Sequence, residues 1–145
     1  MRTAIVTRAI DPAALVAEVS GHAHGAVILF LGTVRDFNDG RAVDGIEYQA
    51  YDAMAERELA AIVADAAHRF GTERITVEHR TGRLALGEIS VGIAVAHAHR
   101  GAAYDASRFV IEQLKQRLPV WKREEYADGT REWVDPTRAQ QGVRA

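Results

Sequence analysis

The chain uses lysine only twice. Of its 18 basic residues 16 are arginine, and the exceptions are Lys115 and Lys122. Arginine keeps its proton inside a protein. A lysine that is desolvated or set beside another cation can instead become a neutral amine, able to move a proton or attack a carbonyl. Lys122 follows Pro119-Val120-Trp121, an apolar, proline-braced stretch that pins the side chain and keeps water from it, and Arg123 adds positive charge beside it. Both effects lower a lysine pKa. Lys115 falls in the last turn of a helical segment, where a cation also compensates the helix dipole. Two lysines brought together would depress each other, so position decides between the chemical and the structural role.

Two further clusters could hold an anion. Phe30-Leu31-Gly32-Thr33-Val34-Arg35 runs from an apolar strand into a charged loop. An arginine at the mouth of a core strand can grip a carboxylate or phosphate from a rigid support, or simply pair with Asp36 or Asp39. Ala96-His97-Ala98-His99-Arg100 leads from a strand into a helix, whose free amide donors and positive dipole end favour anions. The His97 and His99 spacing would also suit a metal. With no cysteine and no third ligand nearby, zinc is disfavoured, and neither metal nor cofactor is expected. His22 and His24 repeat the spacing inside a glycine-flanked turn and carry no chemistry in this reading.

The elements that must position these residues follow from periodicity and breakers. Strands are expected over Thr3–Thr7, Ala26–Val34, Val43–Tyr51, Ile75–His79 and Ile89–Ala96. A helix starts at Pro12 behind an Asp11 cap and ends near Val19, and another runs from Ala53 to Phe70 and stops at Gly71. A third spans about Gly101 to Leu118, with Ala103, Ala106, Val110, Leu114 and Leu118 on one face, and Pro119 ends it. Lys122–Tyr126 and Arg131–Val134 flank an Asp128-Gly129 turn and read as a hairpin. The order is mixed strands with three helices and no regular βαβ alternation, so the class is α+β. A single domain over residues 1–136 is expected, with 137–145 a frayed tail.

Bulk properties exclude several function classes. At 145 residues the chain can bury a real core, and 48% apolar with 26% charged is an ordinary soluble balance. A net charge of -2 argues against a nucleic-acid or anionic-membrane partner. No apolar run reaches the roughly 18 to 20 residues of a bilayer span, and Met1-Arg2-Thr3-Ala4-Ile5-Val6 does not read as a secretory signal. A cytoplasmic chain is expected. The absence of cysteine removes disulfides, thiolate metal sites and a cysteine nucleophile together. Walker, dinucleotide-binding, serine-elbow and His-Glu-x-x-His motifs are also missing. What remains is a cationic pocket for an anionic small molecule, with one or two lysines as its chemical groups.

At these clusters the chain resembles the large, catalytic subunit family of molybdopterin synthase. The resemblance is carried by residues 25–38 (Gly25 through Gly32-Thr33-Val34-Arg35 to Asn38), by Ile46–Tyr51 with Met54, and by Glu78–Leu84. It continues through His97–Arg100 and Leu114–Glu124 to Glu132-Trp133-Val134. It covers about Gly25 to Val134, and Gly-Thr-Val-Arg combined with Pro-x-Trp-Lys is highly specific. It implies an α/β-hammerhead type of fold and a homodimer that carries two copies of a small ubiquitin-like sulfur-carrier subunit, a heterotetramer in all. That partner would bring sulfur as a thiocarboxylate on its C-terminal glycine, and two transfers would turn cyclic pyranopterin monophosphate into the dithiolene of molybdopterin. The resemblance implies Lys115 and Lys122 as catalytic residues. It implies Phe30, Thr33, Val34, Arg35, His99, Arg100, Arg123 and Glu124 as substrate-binding residues beside them. Where the family can use an arginine just past the Trp-Val pair, this chain has Thr137, with Arg138 one step on. The alternative is a non-catalytic anion-binding or scaffold dimer. The two retained lysines argue against it, because an anion site in so arginine-rich a chain could have used arginine.

Overall fold

The computed structural model describes residues 1–134. The expected tail 137–145, with Thr137 and Arg138, lies outside the described residues. Two sheets and three helices make up the rest, an α+β architecture. The first sheet contains Arg2–Val6 (β1), Ala26–Thr33 (β2), Ile75–Arg80 (β5) and Ile89–His97 (β7) in the order β1-β5-β7-β2. β1 pairs with β5 in parallel, while β5 with β7 and β7 with β2 are antiparallel. The second sheet contains Phe37–Asn38 (β3), Arg41–Ala50 (β4), Val120–Tyr126 (β8) and Arg131–Val134 (β9) in that order, and Gly82–Ala85 (β6) pairs with β4.

Alternation along β7 explains the layering. Val91, Ile93 and Val95 face the main core, whereas Ala94 and Ala96 face a smaller cluster with Ile10, Leu15 and Val19. The smaller cluster belongs to Pro12–Val19 (α1), capped by Asp11, whose carboxylate accepts from the Ala13 and Ala14 amides. The main core is closed by Asp52–Phe70 (α2) and Arg100–Arg117 (α3), which pack on each other. In α2, Ala55, Leu59, Ile62, Val63 and Ala66 are buried at helical spacing, and Gly71 ends the helix at φ 71°, a left-handed conformation open to glycine. In α3 the expected stripe of Ala103, Ala106, Val110 and Leu114 is buried, and Leu118 follows at the cap. The second sheet adds Val43, Ile46, Tyr48, Leu84, Val120 and Tyr126 to the same core.

Two short strands were not among those expected. β3 and β6 occupy segments whose turn residues hide them, since Asn38-Asp39-Gly40 closes the tight β3–β4 hairpin and Gly82 opens β6 at φ 96°. Their pairing comes from β4, and their own two to four residues carry no legible period.

Replacing Leu59, fully buried between the layers, with alanine should lower the unfolding free energy by about 3 kcal/mol. Asp11→Ala, at an exposed cap, should cost about 1 kcal/mol. Urea titration followed by circular dichroism reads both.

Candidate functional site

The site forms where the first sheet, the second sheet and the end of α3 meet. β8 delivers Lys122 and Glu124 on its inner face, the face that also carries Val120 and Tyr126 into the core. α3 delivers Lys115 from its last turn. The end of β2 delivers Thr33 and, just past the strand, Arg35. Gly32 makes that delivery possible, because a Cβ there would lie 2.6 Å from Cγ1 of Val91, and the β2–β7 register shifts at the next residue. These side chains line one cavity of about 200 Å³, together with Asn38, Tyr48 and Ser90.

Glu124 organises this cavity. Its carboxylate is 1% exposed and accepts from three directions: Asn38 Nδ2 at 2.6 Å, Tyr126 OH at 2.7 Å and Lys122 Nζ at 3.0 Å. Burial alone would raise its pKa, but these hydrogen bonds and the Lys122 charge hold it below the usual carboxylate range. The Tyr126 hydroxyl, partly desolvated and donating to that carboxylate, is pushed up to about 12. Asn38 also accepts from Arg35 Nη2 at 3.0 Å, so one amide ties the loop arginine to the buried acid.

Lys115 has no such acid. Burial, then the positive charges of Lys122 and Arg35, push its amine below the ordinary lysine range. Three cations thus line one cavity with one carboxylate, which pairs with Lys122. The arrangement can bind an anion and at the same time offer an amine able to exchange a proton.

Of the residues expected at the site, Thr33, Arg35, Lys115, Lys122 and Glu124 line this cavity. Phe30 lies one pleat behind Gly32 and packs against the main core, and Val34 is a core residue at 4% exposure. Arg123 sits on the opposite face of β8, paired with Glu47 at 3.1 Å and 5.2 Å from the Trp133 ring, because successive strand residues point to opposite faces. His99 and Arg100 are exposed at the N-terminal end of α3, roughly 22 Å from Lys115 at 1.5 Å per residue. Within one chain they do not reach the cavity. A larger, open depression of about 540 Å³ lies on their side of the first sheet, lined by His24, Arg74 and His97 among others and by neither lysine. Among the described residues no group of three or more potential metal ligands converges. Asn38, Tyr48, Ser90 and Tyr126 are site residues that sequence reasoning did not reach. Asn38 had a signal, its place three residues after Arg35.

Fold and site together define a class, an α+β protein built around a cationic pocket that holds both lysines. Residues 5–117 match the model of the MoaE protein family, and the chain belongs to that family. It is 49% identical over 111 residues to the molybdopterin synthase catalytic subunit of Pseudomonas aeruginosa, covering 77% of this chain and 73% of that one. To the molybdopterin synthase catalytic subunit of Emericella nidulans it is 41% identical over 124 residues, 86% of this chain and 64% of the fungal one. It thus spans a little under two thirds of that relative's length. The crystal structure of molybdopterin synthase from Staphylococcus aureus superposes with a TM-score of 0.85 at 34% identity, covering 90% of this chain and 95% of that one. The Helicobacter pylori complex of subunits 1 and 2 of molybdopterin-converting factor shares the fold at a TM-score of 0.69 and 21% identity, covering 91% and 89%. No helix among the described residues is long and apolar enough to cross a membrane.

Glu124→Gln should lower stability at pH 7 by roughly 1–3 kcal/mol, since Lys122 loses its buried counter-charge. Glu124 has a depressed folded pKa, so its contribution is present above the unfolded value of about 4.3 and lost as pH falls through the folded value. The gap between wild type and variant should therefore close in acid, read by denaturant titration at several pH values.

Proposed function

We propose that this chain is the catalytic subunit of a molybdopterin synthase. In this reading it transfers sulfur from the C-terminal glycine thiocarboxylate of a small ubiquitin-like partner to cyclic pyranopterin monophosphate in the cytoplasm. One observation carries the reading: the only two lysines in the chain converge, with Arg35, on a single cavity. The substrate's cyclic phosphate calls for fixed cations, and the reaction calls for an amine that moves protons. The thiocarboxylate sulfur forms its bond to a pterin carbon as the carbon–oxygen bond at that carbon breaks, the displaced oxygen leaving on the phosphate or, once protonated, as water. Water then breaks the acyl–sulfur bond, the partner leaves as an ordinary carboxylate, and a neutral Lys115 takes the proton that water releases. The Lys122 ammonium and Arg35 hold the anionic oxygens. A tail ending in glycine suits a narrow channel, because glycine lets backbone approach without a side-chain clash.

The same proposal makes the site a shared one. About 200 Å³ is below the roughly 300–1,000 Å³ usual for small-molecule sites, which supports completion by a second copy. β2 is the edge of the first sheet, and Val27 through Leu31 are apolar and at most partly buried, a strand suited to pairing. If two copies of β2 pair antiparallel about a two-fold axis, the Ala26 end of one meets the Thr33 end of the other. Ala26 is in register with His97, so His99 and Arg100 of one copy approach Arg35 and Lys115 of its partner. The homodimer with two sulfur carriers is the heterotetramer of this reading.

Incubating the chain with a thiocarboxylated partner and the cyclic pterin should yield the dithiolene, detected by mass. Absence of product with a folded chain overturns the reading in favour of a non-catalytic anion-binding dimer. Lys122→Ala should abolish conversion and Lys115→Ala should cut it by about a hundredfold or more. Mixing the inactive Arg100→Ala and Lys122→Ala chains should restore part of the activity in hybrid dimers. No recovery after confirmed subunit exchange contradicts the shared site.

A further inference from the structure

His79 is the one buried histidine among the described residues, and nothing in the proposed reaction uses it. It lies on the inner face of β5 in line with Ile75 and Val77, with its ring edge-on to Tyr48 at 5.2 Å and 78°. Nδ1 is 2.9 Å from the Arg80 carbonyl oxygen. A carbonyl only accepts, so Nδ1 carries the hydrogen and Nε2 is left as a lone-pair acceptor. Burial lowers the imidazole to about 4 against the pull of the Arg80 carbonyl, and the nearby Lys115 charge lowers it further, so the ring stays neutral at working pH. With Tyr48, Leu114, Lys115, Leu118 and Val120, His79 lines a small recess of about 20 Å³. A space of about 10–15 Å³ or more holds one water if two or more polar groups meet it. Here His79 and Lys115 are the two that can supply them, and Leu114, Leu118 and Val120 make the rest of the lining aliphatic. Tyr48 and Lys115 also line the larger cavity, so the two spaces share a wall.

We propose that His79, through one water in this space, is a positioning residue for Lys115. The water donates to Nε2 and accepts from Lys115 Nζ, which leaves the lone pair of the neutral amine turned toward the larger cavity. Lys122 and Glu124 from β8, Arg35 beyond β2 and Tyr48 from β4 line the larger cavity with Lys115, whereas His79 lines only the smaller recess, so its water would take a hydrogen of the amine away from the substrate side. The inference rests on Lys115 being the reacting amine.

Nitrogen NMR of the labelled chain tests it without any partner or substrate. The His79 Nε2 resonance should shift with pH along the Lys115 titration and should lose that shift in Lys115→Met. A flat Nε2 response in the wild type, or the same response in Lys115→Met, overturns the proposal. In the turnover assay, His79→Phe should lower kcat about tenfold with KM within about twofold. Its Lys115 limb should move to lower pH, because the ammonium loses an acceptor. His79→Gln, which keeps an acceptor near the Nε2 position, should recover to within about threefold of wild type. A loss in KM alone, or equal loss in both variants with both folded, also overturns it. If the wild type itself makes no dithiolene, the proposed reaction fails while the NMR result still decides whether His79 and Lys115 are coupled.

Discussion

A buried carboxylate with three donors is the constraint on which the rest of the site depends. Glu124 is nearly inaccessible, and an ionised acid survives there only because Asn38, Tyr126 and Lys122 satisfy it. Tyr126 and Lys122 flank the acid on β8 itself, and Asn38 reaches it from β3. Asn38 fixes the loop that carries Arg35, Tyr126 ties the acid into the core beneath Arg41, whose guanidinium lies 3.4 Å from the ring centroid, and Lys122 is drawn across the cavity floor. Remove the acid and three positions loosen together. The acid also decides which lysine is which. Lys122 has a counter-charge within hydrogen-bond reach, whereas Lys115 meets mainly burial and two other cations.

The fold serves this arrangement by ending elements at the right place. α3 is anchored by small and branched residues against α2 and the first sheet, so its last turn arrives at the cavity with Lys115 fixed. Leu118 and Pro119 stop the helix and turn the chain directly into β8, seven residues carrying Lys115 to Lys122 from one wall to another. Antiparallel pairing of β8 with β4 then sets Lys122 opposite Tyr48 and Glu124 opposite Ile46. Gly32 allows β2 to close on β7 so that Thr33 and Arg35 reach the same space.

Much of this was legible in the chain. The three helices, their caps and stops, and the five long strands follow from apolar spacing and from Asp11, Gly71 and Pro119, because each of these signals is local. The two lysines were singled out by their rarity and by the apolar residues before Lys122. Other parts needed the third dimension. β3 and β6 exist because β4 offers them an edge. Tyr48, His79 and Ser90 come from three different strands, and no spacing in sequence links them. Arg123 shows the reverse case: strand alternation alone sets it on the opposite face from Lys122. His99 and Arg100 have the chemistry of an anion site, yet the length of α3 separates them from the lysines of their own chain.

Burial and two neighbouring cations make Lys115 an amine poised to exchange protons, while Lys122 stays paired with Glu124. With two lysines in the chain, carbon NMR of labelled lysine gives two side-chain resonances to follow, and Lys115→Met assigns them. The Lys115 signal should titrate with a midpoint below the ordinary lysine value of about 10.4. A Lys115 midpoint at or above that value would contradict it.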